Sequence, residues 1–152
     1  MSIPKEISVA EKILRVVFHP MNFNSSMKLK SNSFKSKPGE DEVSVIRFDF
    51  CDANFCKKYG KEIQNPYNRR NFCGFALLNA KEVFECDAEI EFTPRKTSNP
   101  YHADIKIGFI AEQGKQLPAE FQFKVDEMTR KARFYEDQNP DSTKWEGKEN
   151  IE

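Results

Sequence analysis

Two histidines, four cysteines and two clusters of cations are the side chains from which chemistry could be built in this chain. His102 sits in "TSNPYHADIKIGF", Thr97 to Phe109, where Asn99-Pro100 makes a turn and the histidine enters a strand. Asp104 follows two residues later, on the same strand face, and is a candidate to orient a histidine base. The same placement also suits a structural hydrogen bond that fixes the corner. His19 ends "VVFHP" and is held extended by Pro20. His19, His102 and Asp104 are the catalytic candidates, and a His-dependent enzyme needs the two histidines to meet a polar partner in one cleft. The sequence carries no P-loop, G-x-G-x-x-G or G-x-S-x-G pattern, so the balance is against catalysis.

Cys51, Cys56, Cys73 and Cys86 are separated by four, sixteen and twelve residues. A zinc site needs two close pairs, and only Cys51 and Cys56 approach that spacing. Neither a metal nor a cofactor is expected. The N-terminus "MSIPKEISVAEK" lacks an apolar signal core, so the expected location is cytoplasmic and the thiols are expected to be free. No apolar run is long enough to cross a bilayer, so no membrane partner is expected.

Lys and Arg number 24, equal to Asp and Glu, so no global field draws the protein to a polyanion. The charge is nevertheless uneven. Lys28, Lys30, Lys35 and Lys37 surround Phe34 in residues 28–37. Lys57, Lys58, Lys61, Arg69 and Arg70 surround Tyr59 and Tyr67 in residues 57–70. Cations interleaved with aromatics suit single-stranded nucleic acid, with phosphates on the cations and bases on the rings. They equally suit an acidic protein surface.

The elements that must position these residues read as α+β. Strands are expected at Lys12–Pro20, Glu42–Phe50, "NFCGFALLNA", "AEIEFTPR" and "HADIKIGFI", from their alternating or β-branched patterns. Asp52 caps a short helix that Gly60 is expected to stop, and "AKEVFEC" makes a helical turn. The strongest helix runs from Pro118 to Tyr135, with Phe121, Val125 and Met128 on its apolar face. The expectation is one domain over 1–135, a small, mainly antiparallel sheet covered on one face by that C-terminal helix. An acidic, partly ordered tail is expected over 136–152. The 14 phenylalanines read as an aromatic core.

The run "ILRVVFHP", "KLKSNSF", "DEVSVIRFD", "FCGFALLNAKEV" and "NPYHADI" resembles a group of small bacterial proteins that share His-Pro, acidic-Ser-Val and Asn-Pro-x-His-Ala segments. The matching positions are His19, Pro20, Phe34, Ser44, Val45, Asn99, Pro100, His102 and Ala103, over residues 12–108. The resemblance implies a bacterial cytoplasmic protein of mobile or antiviral-defence gene neighbourhoods, and it brings no established activity. The leading expectation is a non-catalytic accessory module that binds another protein subunit. One alternative is single-stranded nucleic-acid binding through residues 28–37 and 57–70. The other is an ADP-ribosyltransferase-like or other His-dependent enzyme.

Overall fold

β-Branched and aromatic residues crowd Lys12–Pro20 because both faces of that stretch are buried. In the computed structural model, which describes residues 2–147 and 151, it forms β1, an inner strand of a six-stranded sheet. The others are β2 (Val43–Arg47), β3 (Arg70–Asn79), β4 (Glu89–Phe92), β5 (His102–Lys106) and β6 (Arg133–Glu136). Their order is β4-β5-β2-β1-β3-β6, with every ladder antiparallel. Three α-helices accompany them: α1 (Ala53–Ile63), α2 (Ala80–Glu85) and α3 (Ala119–Lys131). The architecture is α+β, an antiparallel sheet packed by a C-terminal helix. Among the described residues no helix is long and apolar enough to cross a membrane.

α3 covers one face of the sheet and α1 the other. Ile13 and Val17 join Val45, Ile105, Val125 and Met128 in the core beneath α3. Leu14, Val16 and Phe18 join Ile46, Tyr59, Phe72 and Phe75 in a second core beneath α1. The expected apolar face of α3 is the one it uses, with Val125 and Met128 buried and Phe121 packed at the edge.

Three local expectations give way to tertiary contacts. The C-terminal helix ends at Lys131, and Arg133–Glu136 becomes β6 on the edge of β3. There Phe134 enters one core and Tyr135 the other, a period of two that the helical pattern also allowed. Gly60 does not stop α1, which continues to Ile63. It is a close-approach point, where a Cβ would stand 2.7 Å from Phe72 Cδ1 and 2.9 Å from Val16 Cγ1. The acidic segment after β6 is docked through Gly147, not separate from the domain. Trp145 stacks on Phe75 with ring centroids 4.7 Å apart, and its backbone N–H donates to Asn54.

Lys57 holds that segment. Its fully buried ammonium donates to Asn139 O (2.9 Å), Ser142 Oγ (2.8 Å) and Lys144 O (2.6 Å). All three protons are thereby used. The carboxylate of Asp137, 2.8 Å away and equally buried, balances the charge as an ion pair. Lys61 adds a bond to Pro140 O at 2.7 Å.

Two outcomes are expected in denaturant melts. Lys57→Met should cost about 3–5 kcal/mol, because it leaves Asp137 charged and alone, and adding Asp137→Asn should recover part of the loss. Gly60→Ala should cost about 1–3 kcal/mol from overpacking against Phe72, despite the better helix propensity of alanine.

Candidate anion-binding site

The site begins with a charge in an apolar strand. In "KILRVVF", Arg15 stands between Ile13 and Val17, which share its strand parity and are buried. The β1–β2 ladder has registered pairs only at Ile13↔Arg47 and Leu14↔Ile46. One residue further, Arg15 Nε donates to Ser33 O and Nη1 to Ser44 O, both at 2.9 Å. The guanidinium thus pairs a β2 carbonyl that has no β1 partner.

Around it lies a polar cavity of about 380 Å³, lined by Arg15, Lys35, Lys37, Arg70, Arg95, Tyr59, Ser44, Ile63, Glu40 and Glu42. Arg70 opens β3 after the turn Pro66–Asn68, where Arg69 takes a left-handed conformation (φ 61°). Its guanidinium lies over the Phe18 ring, 4.7 Å from the centroid. Arg95 comes from the loop after β4 and donates to the buried Tyr59 hydroxyl at 3.3 Å. The three arginines are therefore positioned by carbonyls, a ring and a hydroxyl. Among the described residues, no carboxylate forms an ion pair within 4.0 Å with any of them. Burial, and then repulsion from Arg70, push the Arg15 pKa down to about 10, against a smaller upward pull from Tyr59. It remains protonated at neutral pH, with its charge not offset by a neighbouring acid.

The residues expected in the two basic stretches divide sharply. Lys35 and Lys37 from the first and Tyr59 and Arg70 from the second meet in this one cavity. Lys28 and Lys30 are exposed, and Lys28 borders a different groove, against α3. Phe34 is buried in the core beneath α3 and offers no ring for stacking. Lys57, fully buried, cannot serve as a surface cation, and Lys61, half-buried, is bonded to Pro140 O in the C-terminal segment. Lys58 and Arg69 are exposed, and Lys58 borders a groove beside Phe55 and Ser142. Arg15 and Arg95 lie outside both basic stretches. The signal for Arg15 was a cation at a core-facing strand position; Arg95 had none.

The histidines do not meet. His102 pairs with Ile46, and Ile46 with Leu14, whereas His19 lies five residues further along β1, about 17 Å at ~3.3 Å per residue. His19 is exposed and tilted against Phe23, so the two-histidine cleft is not formed. His102 is 1% exposed. Its Nδ1 lies 3.0 Å from Thr93 O and 2.9 Å from Thr93 Oγ1. The carbonyl can only accept, so Nδ1 carries the proton and Nε2 the lone pair. The Thr93 hydroxyl in turn donates to Asp104 Oδ2 at 2.9 Å. His102 therefore fixes the corner by tying β5 to the backbone of the loop after β4. Asp104 supports that corner through Thr93, with Oδ1 3.9 Å from Nε2.

All four cysteines are free thiols. Cys51 and Cys56 lie side by side, Sγ–Sγ 3.7 Å, and the contact with Cys51, together with burial, pushes the Cys56 thiol up. Burial pushes Cys73 up to about 12, with Glu136 adding to the rise. Neither is poised as a thiolate at neutral pH. Among the described residues, no group of three or more His, Cys, Asp or Glu is placed to hold a metal.

No protein-family model, curated protein or solved structure matches the chain.

The His102 corner sets a pH dependence. Burial, with Arg95 next, lowers its pKa below the ordinary 6.5, while Asp104 and the Thr93 backbone oppose the shift. On acidification the unfolded chain takes up this proton first. Stability present above pH 6.5 is therefore lost as the pH falls from there through the folded-state value. His102→Ala should cost about 1–3 kcal/mol by leaving Thr93 groups unsatisfied. His102→Asn should restore part of that and flatten the melting-temperature curve between pH 7 and 5. An unaltered curve in both variants would refute the role of the ring.

Proposed function

We propose that this chain is a non-catalytic binding module for single-stranded nucleic acid. The observation that carries the reading is the convergence of both basic stretches on one cavity with Arg15 and Arg95. Its three guanidiniums are held by neutral groups, which leaves their charge for a ligand. Planar guanidinium forks match phosphate oxygens in geometry and charge. Tyr67, three residues before Arg70 in the chain, is 99% exposed on the turn Pro66–Asn68. An exposed ring of this kind is a stacking platform for a base. Net neutrality is no obstacle, because local rather than total charge sets the potential at a recessed site.

Anisotropy titrations of a short labelled DNA or RNA strand at several salt concentrations test this. Affinity should fall with salt, and the combined Lys35→Ala and Lys37→Ala change should make the log–log slope shallower by about 1.4, at ~0.7 per lost contact to a single strand. Lys28→Ala with Lys30→Ala should leave the slope unchanged. Tyr67→Ala should cost about 1–3 kcal/mol of binding. Absence of binding at low salt, with an acidic protein captured through Arg70 and Arg95 instead, would favour the accessory-subunit reading.

A further inference from the structure

We infer that the cavity receives a terminal phosphomonoester of the strand, not an internal phosphodiester; the inference rests on the nucleic-acid reading above. The first ground is access. Arg15 spends Nε on Ser33 O and Nη1 on Ser44 O, main-chain atoms of the 3-10 turn Ser31–Phe34 and of β2, and Nη2 has no protein partner among the described residues. The guanidinium lines a cavity walled by β1, β2, β3, α1 and the loops that carry Lys35, Lys37 and Arg95, so a phosphate that reaches it enters a recess. An internal phosphate carries a nucleotide on each side and needs two ways out. A terminal phosphate needs one.

The second ground is charge. Arg15, Lys35, Lys37, Arg70 and Arg95 line the recess against Glu40 and Glu42, an excess of three positive charges by direct subtraction of two from five. A phosphodiester brings one negative charge. A phosphomonoester brings nearly two at neutral pH and three equivalent acceptor oxygens. Three arginines from three separate elements, each fixed by a neutral partner, suit three oxygens better than two. The third ground is an exposed ring near Arg70 in the chain: Tyr67 lies three residues before it on the turn Pro66–Asn68 and is free to stack on a base beyond the phosphate.

The experiment compares eight-nucleotide thymidine strands by anisotropy with the full chain at one low salt concentration. One pair carries a 5′-phosphate or a 5′-hydroxyl with the dye at the 3′ end. A second pair carries a 3′-phosphate or a 3′-hydroxyl with the dye at the 5′ end. At one of the two ends the phosphorylated strand should bind about tenfold more tightly than its hydroxyl counterpart, the size of one added charge-assisted contact. Arg15→Gln removes support from the sheet, so the site is tested with Arg95→Gln and Arg70→Gln. In each, binding of both strands should weaken, and the ratio between the phosphorylated and the hydroxyl strand should fall from tenfold to about twofold or less. Equal affinity of phosphorylated and hydroxyl strands at both ends, with both bound, overturns the terminal-phosphate inference and leaves the nucleic-acid reading standing. An advantage that survives both substitutions overturns the assignment to this cavity. Failure of every strand to bind overturns the nucleic-acid reading and this inference with it.

Discussion

The guanidinium of Arg15 stands where the central ladder of the sheet stops. β1 and β2 are registered over two pairs only, and the next β2 carbonyl on that side is met by a side chain instead of a strand. The same guanidinium holds Ser33 O, which fixes the 3-10 turn Ser31–Phe34 and places Phe34 in the core. One charged group thus closes a gap in the sheet, anchors the segment that delivers Lys35 and Lys37, and forms the floor of the cavity. An apolar residue there would pack among Ile13 and Val17 but leave two carbonyls without this donor.

Two buried cations, Arg47 and Lys57, perform comparable anchoring. Arg47, fully buried, pairs with Glu11 and bonds the carbonyls of Pro4 and Glu6, between the rings of Phe50 and Phe92 at 4.9 and 4.6 Å. It pins the N-terminal segment as Lys57 pins the C-terminal one. The contrast with Arg15 is in the counter-charge. Arg47 and Lys57 each have a carboxylate in direct contact, Glu11 and Asp137, whereas Arg15 has carbonyls and two neighbouring arginines. A buried cation with its own acid is complete within the fold. Arg15, half-buried and without a carboxylate in contact, favours an anion from outside.

The corner at His102 belongs to the framework, not to the cavity's chemistry. Its Nδ1–H is spent on Thr93, and Thr93 is spent on Asp104. Asp104 is registered with Ser44, so this network stands one strand behind the cavity wall. It sets where the loop carrying Arg95 leaves β4, and Arg95 in turn favours the neutral imidazole.

Periodicity and local chemistry in the sequence determined the antiparallel α+β class, the places of β1 to β5 though not the end of β2, which stops at Arg47, the capping of α1 by Asp52 and the apolar face of α3. Each is a short-range property, set by alternation, by a side chain reaching its own backbone, or by a 3.6-residue stripe. The sequence also marked two basic stretches, and it could not say which of their cations were free. That was decided by contacts between residues far apart in the chain: Asp137 and three acceptors claim Lys57, the core claims Phe34, and the edge of β3 claims Arg133–Glu136. The meeting of Arg15, Arg70 and Arg95 was likewise invisible, because their separation in space depends on strand order. Only folding, by placing β1 beside both β2 and β3, brings their charges to one recess.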